Sequence, residues 1–165
     1  MFTALLIVAQ ATAAMWGNFV AGPIVNLILI VSVMTCGLAP GLSVAVVSPI
    51  AAKFSGIGPF WSLIPFIAAG NVVLVILWHY IGNRNMGRYT ACVAATIVAS
   101  IVKFLVLYIG IVKIAVPVLL RLPEQQAAVI SIMFSIPQLI NPLIGGALAT
   151  ALLPTLKSAV GERQG

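Results

Sequence analysis

Apolar stretches approaching the thickness of a bilayer recur along this chain, separated only by short runs rich in glycine, proline and asparagine. Hydrophobic residues make up 62% of the sequence and charged residues 6%, and the mean hydropathy is +1.23. A soluble fold has too few polar residues here to cover its surface, so the pattern implies an all-α integral membrane protein. A spanning helix takes about 20 residues. The 165 residues therefore have room for a bundle of spans and for no sizeable domain outside the bilayer.

Turn and breaker residues divide the chain into six apolar segments, at about residues 2–16, 20–36, 41–54, 60–81, 89–119 and 125–153. Together they predict one membrane domain, residues 1–165, built as a compact bundle of six transmembrane helices. Short connections make successive helices antiparallel neighbours. Ala11-Thr12-Ala13 resembles a signal-peptide cleavage site, but no basic n-region precedes it, which favours a retained first helix. Pro49 and Pro137 fall inside predicted helices, where each removes a donor and frees the carbonyl one turn earlier, on Ala45 and Met133. Freed carbonyls are tolerable in a bilayer only where protein or a wet cavity satisfies them, so both prolines are expected to face the bundle interior.

The net charge of +6 is spread along the chain, with no Lys/Arg cluster to suggest nucleic acid. With six spans, Arg84, Arg88, Lys157 and Arg163 share one side, while Lys53, Arg121 and Lys113 fall on the other. The positive-inside rule makes the first side cytoplasmic, with both termini inside. Cys36 and Cys92 have neither CxxC spacing nor a neighbouring histidine, so they are expected to be buried, inert thiols, and no metal or cofactor is expected. His79, between Trp78 and Tyr80, is expected in the interfacial aromatic belt. No phosphate-binding glycine loop, nucleophile elbow or acid pair is present, and the chain does not read as an enzyme.

The polar residues inside the apolar segments are the candidate site. At 1.5 Å per residue, Asn71 lies roughly 17 Å from the outer end of its helix, Lys103 about the same, and Gln138 about 18 Å from its start. Asn141 is about one turn deeper, and Asn26 nearer the outer surface. Thr96, Ser100, Lys103 and Gly110 form one small or polar stripe, and Ser131, Ser135, Gln138 and Gly145 a second; facing each other they would line a cavity. Lys103 is the most demanding of these residues. From mid-bilayer its stem is too short to reach the interface, a lysine there costs roughly 2.5–3.5 kcal/mol on insertion scales, and the only acids, Glu124 and Glu162, lie outside the apolar segments. Either it is deprotonated and hydrogen-bonded, or an anionic ligand or partner meets it. Asn, Gln and Ser can instead be interhelical glue. Ala9 and Ala13 make a small-xxx-small face, as do Ala91, Ala95 and Ala99, with internal packing the default explanation.

Ala21-Gly22-Pro23-Ile24-Val25-Asn26, Gly37-Leu38-Ala39-Pro40-Gly41, Ser48-Pro49, Ile64-Pro65-Phe66-Ile67, Gly70-Asn71, Lys103-Phe104-Leu105-Val106-Leu107-Tyr108, Pro137-Gln138-Leu139 and Gly145-Gly146 follow one another along the chain. In these the chain resembles the S components, the substrate-binding membrane subunits, of energy-coupling-factor (ECF) transporters, and within them a substrate-unassigned member. The resemblance covers nearly the whole chain. It implies a six-helix protein of a bacterial or archaeal cell membrane that captures a vitamin or similar micronutrient, an anionic one being favoured by Lys103. The candidate substrate-binding residues are Lys103, Gln138, Asn71, Asn141, Asn26, Ser100 and Ser135. The implied partners are a transmembrane T component, which would dock on Ala9 and Ala13, and two cytosolic ATPases. The competing reading is a non-transporting structural or assembly subunit, with Lys103 paired to an acidic residue of a partner helix.

Overall fold

The computed structural model describes residues 18–54 and 60–161. All regular structure among them is helical. The predicted segment 2–16, with Ala9 and Ala13, lies outside the described residues, as does Glu162. Five helical stretches are described where segments two to six are expected. They comprise α1 (Asn18–Cys36), α2 (Leu38–Phe54), a short 3₁₀ turn (Trp61–Leu63) leading into α3 (Ile64–Gly82), α4 (Arg88–Leu107), α5 (Glu124–Met133) and α6 (Pro137–Gly161). The stretches Trp61–Gly82, Tyr89–Leu120 and Glu124–Leu156 are long and apolar enough to cross a membrane, whereas Val20–Cys36 and Leu38–Phe54 are shorter apolar helices. The chain is thus a membrane protein by the length and composition of its helices.

A single residue joins α1 to α2. Gly37 takes φ +92°, a conformation open to glycine, and its N–H caps Val33 O at 3.1 Å. Leu38-Ala39-Pro40, expected as linker, instead form the first turn of α2. Proline is tolerated there because a first-turn N–H has no helical partner to lose.

Two further departures concern the long helices. Beyond Leu107, α4 runs on as a π-helix over Tyr108–Leu120, where a regular α-helix is expected, and ends at Arg121 in the left-handed region with φ 43°. The last segment is not one helix. It breaks between α5 and α6, with Phe134, Ser135 and Ile136 in the turn. Pro137 stands at this break as the first residue of α6 and has no N–H to offer Met133 O.

The core divides along the bundle. Toward the Asn83–Gly87 turn, α1 packs on α6, α3 on α4 and α4 on α6, around Leu29, Leu74, Trp78, Ala95, Ala99 and Ala149. Ala91, Ala95 and Ala99 are all fully buried. That alanine face therefore packs within the chain, while Val93, Ile97, Ile101 and Leu105 on the opposite side of α4 stay exposed and suit contact with lipid. Trp78 is a core residue, fully buried, so the exposed aromatic residues at this end are Tyr80, with the His79 ring against it at 5.3 Å, and Tyr89 at the start of α4. Cys92 is buried but Cys36 is exposed, because α1 ends there and turns its last residue outward. Toward the Arg121–Pro123 turn, a second cluster forms around Leu63, Leu107, Ile111, Ile130 and Phe134. Between the two clusters the helices part.

Candidate functional site

Polar side chains from α1, α3 and α4 meet in the middle of the bundle. Lys103, only 3% exposed, donates from Nζ to Asn26 Oδ1 at 2.6 Å and to Asn71 Oδ1 at 2.8 Å. Both acceptors are held in turn. Asn26 Nδ2 donates to Gly22 O at 2.8 Å, and Asn71 Nδ2 reaches Ala45 O and Ser48 Oγ, each at 3.4 Å. The amine nitrogen therefore sits between two amide oxygens whose orientation is set by their own nitrogens.

The two prolines build this site as much as the polar residues do. Pro49 strips Ala45 O of its helical donor, and Asn71 supplies one from the neighbouring helix; Ser48 Oγ lies 3.5 Å from the same oxygen. Pro137 does the same to Met133 O, which accepts from Gln138 Nε2 at 3.3 Å. Each freed carbonyl is thus satisfied by a polar side chain at the place where its helix is disturbed.

Where the helices part they enclose a cavity of about 550 Å³, within the size range of small-molecule sites. Its wall is mostly apolar, with Val25, Phe60, Ile67, Leu107 and Phe134 among the lining residues. Lys103, Asn26, Asn71, Gln138, Asn141, Ser48 and Lys53 supply the polar groups. No carboxylate lines it among the described residues. Asn141 is 5% exposed, and its Oδ1 has no hydrogen-bond partner among the described residues.

Five of the residues expected to form the site, Lys103, Asn26, Asn71, Gln138 and Asn141, line this one cavity. The two serines do not. Ser100 is fully buried, away from the cavity lining, with Oγ unpartnered. Ser135 lies in the turn between α5 and α6 and lines a separate recess with Ser131 and Tyr108. The expected stripe through Ser131, Ser135 and Gln138 assumes an unbroken helix, and the break rotates the two serines away from Gln138. The first stripe divides as well. Thr96 packs on Gly146, where a Cβ would come within 2.6 Å of its methyl, and Gly110 lies against Phe66 at 2.7 Å on the same measure, so only Lys103 in that stripe reaches the cavity.

Lys53, Ser48, Phe60 and Phe134 line the cavity without having been singled out as site residues. Ser48 carried a signal, since it precedes the proline that frees Ala45 O. Lys53 reads from sequence as a topology marker. Phe60 and Phe134 look like any apolar residue until the break places them. No cluster of His, Cys, Asp and Glu able to hold a metal occurs among the described residues. No protein-family model matches the chain, and neither a curated protein nor a solved structure does.

Proposed function

We propose that this chain is the membrane-embedded substrate-binding subunit of an ECF-type uptake transporter, and that the cavity beside Lys103 holds the substrate. The observation that carries the reading is a buried lysine lining a cavity of about 550 Å³ whose wall contains no acidic residue among the described residues. A bilayer-embedded amine is costly, and a ligand is the partner that would turn this cost into recognition. Two amide oxygens hold Nζ in place but leave one of its three N–H donors uncommitted. An anionic micronutrient entering the cavity would take that donor and a full countercharge together.

The cavity's position supports capture from outside. Its lining draws on Ala21 to Asn26 of α1, Ser48 to Lys53 of α2 and Phe60 to Asn71 in and before α3, all toward the end of the bundle opposite the Asn83–Gly87 turn. In the proposed topology the arginines of that turn are cytoplasmic and both termini are inside, so the cavity occupies the outer half of a six-span bundle. The proposed partners remain the T component, with Ala9 and Ala13 as its docking face, and two cytosolic ATPases. The assembly-subunit reading needs Lys103 to reach a partner's carboxylate. Its burial, and its engagement with α1 and α3, weigh against that.

Native mass spectrometry of the gently purified protein tests the proposal. The unaltered protein should retain a small organic molecule that Lys103→Met has lost. A protein free of any small molecule, or equal retention by Lys103→Met, would remove the binding role.

A further inference from the structure

The polar groups of the cavity are unevenly committed, and the uncommitted ones describe what would complete them. Asn71 is fully occupied, with Oδ1 on Lys103 and Nδ2 on Ala45 O and Ser48 Oγ. On α6 the situation is different. Gln138 uses Nε2 to cap Met133 O, which leaves its Oε1 as an acceptor, and Asn141 has no side-chain hydrogen bond among the described residues. Three residues apart on one helix, these two amides project from the same face into the same cavity.

Asn141 is also untethered. Its amide packs on Gly22 so closely that a Cβ there would overlap Nδ2 and Cγ, so the missing Cβ is what lets it sit in the cavity wall, and among the described residues no hydrogen bond fixes which end of the amide faces the cavity. A buried amide oxygen without a donor is costly to leave unmade, and no N–H among the described residues reaches this one.

We infer that the ligand has two poles: an anionic oxygen that accepts from Lys103, and an N–H or O–H donor that answers the amides of Asn141 and Gln138 on α6. The class is a small organic anion carrying an amide-like N–H, with an apolar body against Phe60, Ile67 and Leu107. The inference rests on the binding role proposed above and narrows its substrate. Neither pole alone suffices. A simple fatty acid leaves Asn141 unanswered, and an uncharged amide leaves Lys103 without a countercharge.

Three matched probes separate the poles in thermal-shift titrations of the full chain in detergent. N-acetylglycine carries both the carboxylate and the N–H; N-acetylsarcosine is the same molecule with the N–H methylated; N-acetylglycinamide keeps the N–H and loses the charge. N-acetylglycine should bind best, and N-acetylsarcosine roughly fivefold more weakly, the worth of one neutral hydrogen bond. Asn141→Leu should make those two equal while leaving the melting temperature without ligand unchanged or higher, because the oxygen it removes has no partner to lose. Lys103→Met should instead erase the advantage of N-acetylglycine over N-acetylglycinamide. Equal binding of N-acetylglycine and N-acetylsarcosine by the unaltered protein, or stabilisation by none of the three, overturns the two-pole ligand. A compound retained in native mass spectrometry would leave the binding role standing in either case.

Discussion

The two ends of this bundle are made from the same helices and behave oppositely. Toward the Asn83–Gly87 turn, alanines and glycines let α1, α3, α4 and α6 close on one another until Trp78 is completely covered. Between that packing and the smaller cluster toward the Arg121–Pro123 turn, Pro49 and Pro137 disturb α2 and the last helical stretch, and the helices separate around a cavity of about 550 Å³. Small residues remove side-chain volume and draw backbones together. Prolines remove donors and oblige neighbouring helices to send polar side chains across. Asn71 is such a side chain, reaching Ala45 O from the neighbouring helix, while Gln138 caps the freed Met133 O locally, across the break itself. In this chain, the polarity needed to keep a disturbed helix stable in lipid is also the polarity that furnishes the cavity.

The sharpest way to break that contrast is to remove the capping groups from the open end. Asn71→Leu takes an acceptor from buried Lys103 and a donor from Ala45 O at once, and should destabilise the protein by about 3–5 kcal/mol, the range for stranding a buried charge. The double variant Asn71→Leu/Lys103→Met should be more stable than Asn71→Leu alone, since the stranded charge has gone. Equilibrium unfolding in mixed micelles measures both. Additive losses would show that the pair is not coupled.

Gln138→Leu is a milder probe. It leaves Met133 O without its donor and should cost about 1–3 kcal/mol, and it removes one amide from the cavity, so ligand retention should fall along with stability. Ser100→Ala should have the smallest effect, within about 0.5 kcal/mol of the unaltered protein or slightly stabilising, because its Oγ has no partner and lies outside the cavity. Unchanged ligand retention in Ser100→Ala, set against the loss in Gln138→Leu, would separate cavity residues from mere polarity at depth.

Much of this organisation was legible in the sequence, for identifiable reasons. Breaker residues delimit segments two to five to within a few positions because a bilayer allows no irregular backbone facing lipid, whereas the sixth breaks after Met133 and runs on to Gly161, well past its expected end at 153. The charge imbalance isolated Lys103, and helix rise brought Asn71, Lys103 and Gln138 to one depth. What rise cannot give is azimuth. That Asn26 and Asn71 would both turn to the same ammonium, and that Ser100 would not reach the cavity, depends on how three helices are rotated against one another. Ser135 was misplaced for a more specific reason. Periodicity carries across Pro137 only if the helix does, and here it stops. The π-helical continuation of α4 has no signature in the apolar pattern, and nothing in the structure explains its length.

One paired substitution tests the division between the two ends most directly. Gly22→Ala and Gly146→Ala make the same chemical change, a methyl group within a helix, and each gains about 1 kcal/mol of helix propensity. At Gly146 the methyl meets the β-branched side chain of Thr96 at 2.6 Å, in a region with no slack, so overpacking of about 1–3 kcal/mol should offset or exceed that gain. At Gly22 it meets Nδ2 and Cγ of Asn141, which no hydrogen bond holds among the described residues, so the side chain has to turn about χ1 and leave its place in the cavity wall. Melting temperature and ligand retention, read together by native mass spectrometry on both variants, should therefore cross over: Gly22→Ala keeps or raises its stability and loses ligand, whereas Gly146→Ala is the less stable of the two and retains it. Full retention by Gly22→Ala, or the same outcome at both glycines, would contradict the assignment of packing to one end and binding to the other.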